Sequence, residues 1–328
     1  MRRSRFQSAV LFGALLWLAA PAWAQVPIVL DTDIASDCDD AGAVAILHAL
    51  ADRGEARTLA MGVCVLNRWA APTLDAINHY YGRPDIPIGS IESELSRPPR
   101  DSAYTEYIAT HFPHRLHDGL NAPEAVALYR RTLARQPDQS VIFVAIGWLT
   151  NLRRLLASGP DRASRLPGFQ LVAEKVRMLV DMGPKIDPPG IGWNFEQDPE
   201  SARYVVQNWP TPIVFSPKEV CWAMTGSRLK ETPEANPVRK AYELWLAKHG
   251  RGDTNHSADL TAVLYAVRGL RDYWTSVSGG ILEVEPNGYS RWAHAAGGRQ
   301  SYLVKKMAFD ELARQLDELL IQPPSGRR

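Results

Sequence analysis

Cysteine is scarce in this chain, whose 328 residues include only Cys38, Cys64 and Cys221. Three scattered thiols are too few for a disulfide framework, and their spacing fits no zinc site. Because the number is odd, at least one thiol is free. A bridge between Cys38 and Cys64 is conceivable in an oxidising compartment, but buried cysteines more often act as small apolar side chains, and we expect that here.

An excess of either charge is also lacking, because 37 lysines and arginines stand against 36 aspartates and glutamates. This balance gives no basic patch, so we expect no nucleic-acid partner. The sequence has no internal repeat, no low-complexity linker and no second long apolar run after residue 24. With 45% hydrophobic residues and ten tryptophans the chain can bury a large core, and we predict one domain over residues 25–328.

The one long apolar run lies at the N-terminus. Arg2, Arg3 and Arg5 precede it, it extends through Leu18, and residues 22–24 read Ala-Trp-Ala. This pattern is typical of a secretory signal peptide with an A-x-A cleavage site, and it is too short for a comfortable membrane span. We predict a signal peptide over residues 1–24 and a periplasmic or secreted mature protein without membrane attachment. Loss of the three arginines leaves 34 basic against 36 acidic residues.

Strand-like and helix-like patterns alternate along the rest of the chain. The predicted strands are Val26–Leu30, Thr58–Val65, Ile86–Gly89, Ser140–Ile146, Val176–Met182 and Thr211–Ser216. The predicted helices begin near Ala41 and continue with Pro72–Tyr81, Ala122–Arg135, Leu149–Ser158, Glu200–Asn208 and Leu260–Arg268. This rhythm predicts an α/β fold with an open, mostly parallel sheet and helices on both faces, as in Rossmann-like proteins. We expect loops at 97–119 and 185–192, and a small β-plus-helix appendage after Gly279.

Five carboxylates crowd the turn between the first predicted strand and helix. They are Asp31, Asp33, Asp37, Asp39 and Asp40. In open α/β sheets, ligands bind at such strand-to-helix turns. No lysine or arginine lies within this turn, so the carboxylates would raise one another's pKa unless a cation neutralised them. A hard divalent cation with oxygen ligands, Ca²⁺ before Mg²⁺, fits this pattern.

Three other interpretations of the acidic turn are weaker. An EF-hand loop counted from Asp31 needs Gly at its sixth position and Glu at its twelfth, where this chain has Ser36 and Gly42. A phosphotransferase with an aspartate nucleophile usually carries Thr or Val where Ala35 stands. Helix capping alone accounts for Asp39 or Asp40 but not for all five acids.

The strand followed by DTDIASDCDDA resembles the signature of the inosine-uridine preferring nucleoside hydrolase family. It is similar to a secreted bacterial branch whose turn is two residues longer than the commonest DTDPGIDDA pattern. Further landmarks of the family follow in the same order: VLN at 65–67, GWLTNL at 147–152, WNFEQDPESA at 193–202 and DLTAV at 259–263. Five collinear motifs across nearly the whole mature chain are far more specific than one.

The resemblance implies a calcium-dependent hydrolase of N-ribosyl bonds, in which water attacks the anomeric carbon and displaces a base. By position, Asp33 corresponds to the calcium ligand that also serves as general base, and Asp40 to the bidentate ligand. Asp259 corresponds to the distant third carboxylate and Ile146 to a main-chain carbonyl ligand, where the side chain is immaterial. The implied partner is a small ribosyl substrate, and a homo-oligomer is compatible with the sequence.

The resemblance also assigns a sugar site. Asp39, Asn67 and Asn194 match the family's ribose-binding positions, and Asp259 would touch both the ion and the sugar. Trp193 enters the rim of the expected site and is the aromatic residue that we expect to contact the substrate.

Two departures from the family pattern bear on substrate and activity. Gly192 replaces the glutamate of a Glu-x-Asn motif that grips ribose, and Ala258 replaces a histidine that protonates the leaving base. His256 is the alternative proton donor, although loop histidines are more often solvated. The sequence therefore leaves a second hypothesis open, a non-catalytic protein that binds ribosyl compounds or polyols. Retention of Asp33 favours the hydrolase, because a binding protein needs no general base.

Overall fold

A computed structural model describes residues 25–92 and 102–326. The predicted signal peptide lies outside the described residues, as does the first part of the predicted loop at 97–119. The strands are β1 Val26–Thr32, β2 Ala56–Val63, β3 Ile88–Ser90, β4 Val141–Ala145, β5 Val176–Asp181, β6 Gly190–Ile191, β7 Ile213–Phe215, β8 Trp274–Val284, β9 Tyr289–His294 and β10 Gln300–Lys305.

The α-helices connect these strands and flank the sheet. They are α1 Asp39–Asp52, α2 Ala70–Tyr80, α3 Thr105–His111, α4 Ala125–Leu133, α5 Thr150–Ala157, α6 Gly168–Lys175, α7 Trp193–Gln197, α8 Pro199–Asn208, α9 Pro237–Lys248, α10 Ala258–Arg268 and α11 Phe309–Leu320. Every strand and helix predicted before residue 270 is present, with bounds that differ by three residues or fewer.

One sheet of ten strands, in the order β3-β2-β1-β4-β5-β7-β10-β8-β9-β6, runs through the described residues. The seven strands from β3 to β10 pair in parallel, and β8, β9 and β6 continue the sheet in antiparallel pairs. The open, mostly parallel α/β sheet predicted from the sequence is therefore confirmed.

Helices cover both faces of the sheet. Successive side chains of a strand point to opposite faces, so neighbouring residues of β1 pack against different helices. Ile28 and Leu30 of β1 pack in a buried cluster with α1, α2, α9, α10 and α11. Val29 packs on the other face, in a cluster with α4, α5, α6 and α8. Such two-sided burial accounts for the near-continuous apolar runs of the central strands.

The C-terminal segment extends the main sheet instead of standing apart from it. Its first strand begins at Trp274, five residues before the predicted boundary, and β10 pairs in parallel with β7. Helix α11 then returns to the first face, where Leu312, Leu316 and Leu320 join the buried cluster of α1. Sequence periodicity did not reveal this pairing, because it joins strands that are far apart in the chain.

The predicted loops contain short regular elements. Helix α3 lies within 97–119 and was missed because only Thr105, Ile108 and Ala109 of its seven residues are buried, too few for a helical pattern. In 185–192, β6 makes a two-residue pairing with β9. The short helices α6 and α7 were also not predicted.

The three cysteines are buried and form no disulfide among the described residues, as expected. Among the residues described here, no helix is both long and apolar enough to cross a membrane.

Candidate active site

A cavity of about 450 Å³ opens where β1, β4 and β5 end. We call Asp33, Asp39, Asp40 and Asp259 its floor, since all four are buried and line the cavity. We call Lys218, Trp222, Arg251 and His256, which lie outside the strands and α-helices and line the same cavity, its outer wall. The floor contains only acidic side chains, whereas the outer wall contains basic and aromatic ones.

Two helix N-termini meet at the floor. Asp39 and Asp40 are the first residues of α1, and Asp259 is the second residue of α10. One carboxylate oxygen from each of these three residues lies within 4.8 Å of the others. The Asp259 backbone N–H donates to Asp39 Oδ2 at 3.2 Å, so Asp39 also caps α10. The positive ends of both helices stabilise negative charge at this point.

The floor is too crowded to hold four bare charges. Burial first, and neighbouring carboxylates second, raise the pKa of Asp39, Asp40 and Asp259 well above its usual range. The Thr32 hydroxyl donates to Asp40 Oδ1, but Asp40 Oδ2 is buried with no hydrogen-bond partner in the described part of the chain. An unsatisfied oxygen in an all-carboxylate cluster fits a hard divalent cation, which takes several oxygen ligands.

Asp33 lines the cavity beside this triplet, just after the end of β1. Its Oδ2 accepts a hydrogen bond from the Ser36 hydroxyl at 2.8 Å. Burial raises the pKa of Asp33 to about 7, against the opposing effect of the Ser36 hydrogen bond. A carboxyl group with this pKa exchanges protons near neutral pH, as a general base must.

Asp31, the fifth acid of the turn, does not line the cavity. Its Oδ2 accepts hydrogen bonds from the Tyr129 hydroxyl and from Asn151 Nδ2, the latter at 2.9 Å. Burial raises its pKa to about 7 as well. Asp31 therefore links β1 to α4 and α5 and has a structural role, which the acidic pattern alone did not distinguish.

Ile146 and Asn194 lie at the cavity with the floor carboxylates. Asn194 Nδ2 donates to the Ile146 carbonyl at 3.2 Å and to the Met182 carbonyl at 2.8 Å. Both Ile146 and Asn194 are buried and line the cavity. The structure thus brings together eight of the nine predicted positions, namely Asp33, Asp39, Asp40, Ile146, Trp193, Asn194, His256 and Asp259.

Asn67 is the predicted sugar contact that the structure does not bring to this cavity. Its Oδ1 accepts from the Trp69 backbone N–H at 2.8 Å, and its Nδ2 donates to the Ser102 hydroxyl at 3.3 Å. These bonds hold the turn that leads into α2.

Gly192 has a steric reason to be glycine. A Cβ atom at this position would lie 1.8 Å from the Gly183 carbonyl oxygen, so no side chain fits without movement of the backbone. The backbone here therefore leaves no room for the glutamate that binds ribose in the family. Trp193 follows directly and is 42% exposed at the mouth of the cavity.

His256 reaches the cavity from the loop before α10. Its Nε2 lies 3.6 Å from Asp37 Oδ2, and its ring centroid lies 6.4 Å from that of Trp222. Asp37 is fixed in turn, because its Oδ1 accepts from the Cys38 backbone N–H and from Asn255 Nδ2, both at 2.6 Å. Burial lowers the pKa of His256, although Asp37 opposes this shift.

The sequence analysis missed two cations of the outer wall. Lys218 and Arg251 lie on separate loops, and an isolated basic residue in a loop carries no pattern. Only the fold brings them to the same cavity as the acidic turn.

Fold and site define an α/β protein with a buried carboxylate cluster, suited to a divalent cation, beneath an aromatic-rimmed cavity. A profile of the inosine-uridine preferring nucleoside hydrolase family matches residues 28–301, and the chain belongs to that family. This membership identifies it as an N-glycosidase, as predicted. Among curated proteins, the sequence has no significant match.

Solved structures share the fold at low sequence identity. A plant nucleoside hydrolase is 18% identical with a TM-score of 0.65, over 90% of this chain and 99% of the other. A purine-preferring ribonucleoside hydrolase from Gardnerella vaginalis is 14% identical with a TM-score of 0.67, over 92% of this chain and 98% of the other. An inosine-uridine preferring nucleoside hydrolase from Bacillus anthracis is 15% identical with a TM-score of 0.65, over 89% of this chain and 99% of the other.

Proposed function

We propose that this chain is a calcium-dependent hydrolase that cleaves N-ribosyl bonds of nucleoside-like compounds. The observation that carries the proposal is the floor, where one carboxylate oxygen each of Asp39, Asp40 and Asp259 lies within 4.8 Å of the others and Asp40 Oδ2 has no hydrogen-bond partner among the described residues. Asp33, Asp40, Asp259 and the Ile146 carbonyl would hold the ion. When bound, calcium neutralises the floor and lowers the pKa of a water molecule.

The floor residues divide the remaining work. Asp33 accepts the proton of the attacking water, whose oxygen bonds to the anomeric carbon as the bond to the base breaks. Asp39, Asn194 and Asp259 hold ribose hydroxyls, which fixes the sugar for attack. The carboxylates also favour the positive charge that develops on the ring in an oxocarbenium-like transition state.

Departure of the base is the difficult part of the reaction for this chain. Ala258 offers no proton, and His256, the candidate donor in the cavity, has a lowered pKa and is mostly neutral at pH 7. A positioned acid is typically worth 10²–10⁴-fold in rate. We therefore expect the enzyme to favour leaving groups that need little protonation.

Comparison of two substrates tests this proposal. p-Nitrophenyl riboside carries a leaving group that departs without an acid, whereas inosine carries a purine that gains from protonation. We expect calcium-dependent turnover of the first, with a higher kcat/KM than for inosine. If neither compound is cleaved in the presence of calcium, while ribose still binds, the non-catalytic alternative replaces the hydrolase.

We also propose that the chain is exported to the periplasm or secreted, on the strength of the N-terminal pattern. N-terminal sequencing of protein from the extracytoplasmic fraction should begin at Gln25. An intact N-terminus in the cytoplasmic fraction would contradict export.

A further inference from the structure

The outer wall holds two cations that form no ion pair with any carboxylate of the described residues. Lys218 and Arg251 both line the cavity, and within the two described ranges neither has a carboxylate oxygen within 4.0 Å. Glu219 is adjacent to Lys218, but its Oε1 accepts instead from the backbone N–H groups of Ile186 and Asp187, at 3.0 and 3.1 Å. Unpaired cations in a concave site attract anions and raise their local concentration.

Arg251 is held in place by neutral groups. Its guanidinium Nη1 donates to Asn255 Oδ1 at 3.0 Å, and its Cζ lies 5.0 Å from the centre of the Trp245 ring. Trp245 is itself anchored, since its Nε1 donates to the Ser36 carbonyl at 3.3 Å. These contacts fix the side chain, and no carboxylate in the described part of the chain forms an ion pair with it, which is the state of an arginine prepared for an anionic ligand.

Lys218 occupies a well-defined position on another loop. Its backbone N–H donates to the Pro184 carbonyl at 3.1 Å, and its own carbonyl accepts from the Cys221 thiol at 2.8 Å. Trp222, four residues along the chain, is 49% exposed and lines the same cavity. A cation and an exposed indole in one cavity suit a ligand that is both flat and negatively charged.

The His256 ring is subject to charges from both the acidic and the basic side chains of the cavity. After burial, Asp37 has the largest effect on its pKa and raises it, whereas the two cations Arg251 and Lys218 lower it. Both cations are therefore close enough to act on one ring inside the cavity. Above the acidic floor, the cavity is lined by these two cations and by Asp37.

The volume of the space around Lys218 and Trp222 is also larger than the volume of one nucleobase. These two residues line a second cavity, of about 460 Å³, together with Lys185, Asp187 and Glu219. A substituent that extends from the first cavity past Trp222 would therefore meet both basic and acidic side chains.

This inference rests on the proposed ribosyl hydrolysis and specifies its substrate class. We propose that the site selects ribosyl compounds that carry a carboxylate or phosphate group, which binds Lys218 and Arg251 while the sugar lies over the acidic floor. The anion belongs either to the leaving group or to the sugar, and the substrates described next distinguish the two.

Three substrates test the proposal: p-nitrophenyl riboside, the same compound with a carboxylate on the phenyl ring, and p-nitrophenyl riboside 5-phosphate. We expect one anionic compound to exceed the neutral one at least tenfold in kcat/KM. Preference for the ring carboxylate locates the anion on the leaving group, and preference for the 5-phosphate locates it on the sugar. The preference should weaken as salt rises.

Variants separate charge from structure. Lys218→Gln and Arg251→Gln should each reduce the anionic-to-neutral ratio of kcat/KM, and together at least tenfold. Arg251→Lys keeps the charge and should retain part of the ratio, which separates loss of charge from loss of the contacts with Asn255 and Trp245. Lys230→Gln, at a lysine whose side chain is 72% exposed outside the cavity, is the control and should leave the ratio unchanged.

Calorimetric binding of the same compounds is measured in parallel. Tighter binding of an anionic compound that the double variant abolishes supports the inference even if turnover is absent, in which case only the hydrolase proposal fails. Equal binding and turnover of all three compounds, or a preference that persists in the double variant, would overturn the inference while leaving the hydrolase intact.

Discussion

The floor and the outer wall of the cavity differ in origin as well as in charge. Three of the four floor residues come from one strand-to-helix turn, and the fourth from the start of α10. The outer wall is assembled from two loops that are far apart in the chain from this turn. Of the positions that match the family, Asp33, Asp39, Asp40 and Asp259 form the floor, whereas none of the four outer-wall residues corresponds to a family position named above.

Asp33→Asn should produce the largest effect and test the floor directly. Loss of the general base should lower kcat on p-nitrophenyl riboside about 10²–10⁴-fold with a smaller change in KM. Asp31→Asn is the matched control, because Asp31 is equally buried with the same pKa near 7 but lies outside the cavity. We expect it to reduce stability more than kcat. Equal losses of kcat in Asp33→Asn and Asp31→Asn would contradict the assignment of Asp33 as the general base and Asp31 as a structural residue.

The stability of the metal-free protein should fall as pH rises. The pKa of Asp33 is about 7 in the folded state against an ordinary 3.8, so the folded state binds more protons between these values. The stabilising contribution is complete below pH 3.8 and is lost as pH rises through 7. Added calcium should displace these protons and restore stability most at the higher pH. Thermal unfolding at pH 5 and pH 7, with and without calcium, measures this, and a calcium shift independent of pH would contradict it.

Gly192→Ala should destabilise the protein by about 1–3 kcal/mol, since its Cβ would meet the Gly183 carbonyl at 1.8 Å. Gly192→Glu should be at least as destabilising and should not improve the KM for a riboside, although it recreates the family motif. Denaturant unfolding and steady-state kinetics measure both effects. A stable Gly192→Glu variant with improved KM would mean that the chain path here accepts a sugar-binding side chain.

His256→Ala should change turnover of inosine less than tenfold at pH 7, because burial keeps this histidine mostly neutral. The ratio of wild-type to variant activity should rise as pH falls, since more of the histidine is then protonated. Turnover of p-nitrophenyl riboside should be unaffected. A selective loss of tenfold or more on inosine at pH 7, about 1.4 kcal/mol in barrier, would identify His256 as a protonated donor.

Asn67→Ala should have the smallest effect. The Asn67 side chain bonds Trp69 and Ser102 and does not line the cavity, so we expect a change in KM for p-nitrophenyl riboside of less than about threefold, since only a neutral hydrogen bond is at stake. A larger rise in KM would show that the substrate draws Asn67 into the site.

The sequence was most informative where chemistry is local in the chain. The apolar runs of the sequence predicted strands β1, β2, β4 and β5 of the parallel sheet. The turn from Asp33 to Asp40 contains three of the four floor residues. Asp198 caps α8 with Pro199 at the first helical position, and these two adjacent residues are a local signal for the start of the helix.

What the sequence could not predict depends on long-range packing. The pairing of β10 with β7 joins strands more than 80 residues apart. The separation of Asp31 from Asp33 depends on where Tyr129 and Asn151 lie, and the presence of Lys218 and Arg251 in one cavity depends on two segments that are far apart from the acidic turn in the chain. No local pattern contains these distances.

Calcium titration of chelator-treated protein, with p-nitrophenyl riboside turnover followed in the same sample, tests the central claim most directly. If the floor is the hydrolytic centre, one equivalent of calcium binds and turnover rises in proportion to occupancy. Asp40→Asn should weaken both together. Full turnover in calcium-free protein, or stoichiometric calcium binding that leaves turnover unchanged, would contradict the account.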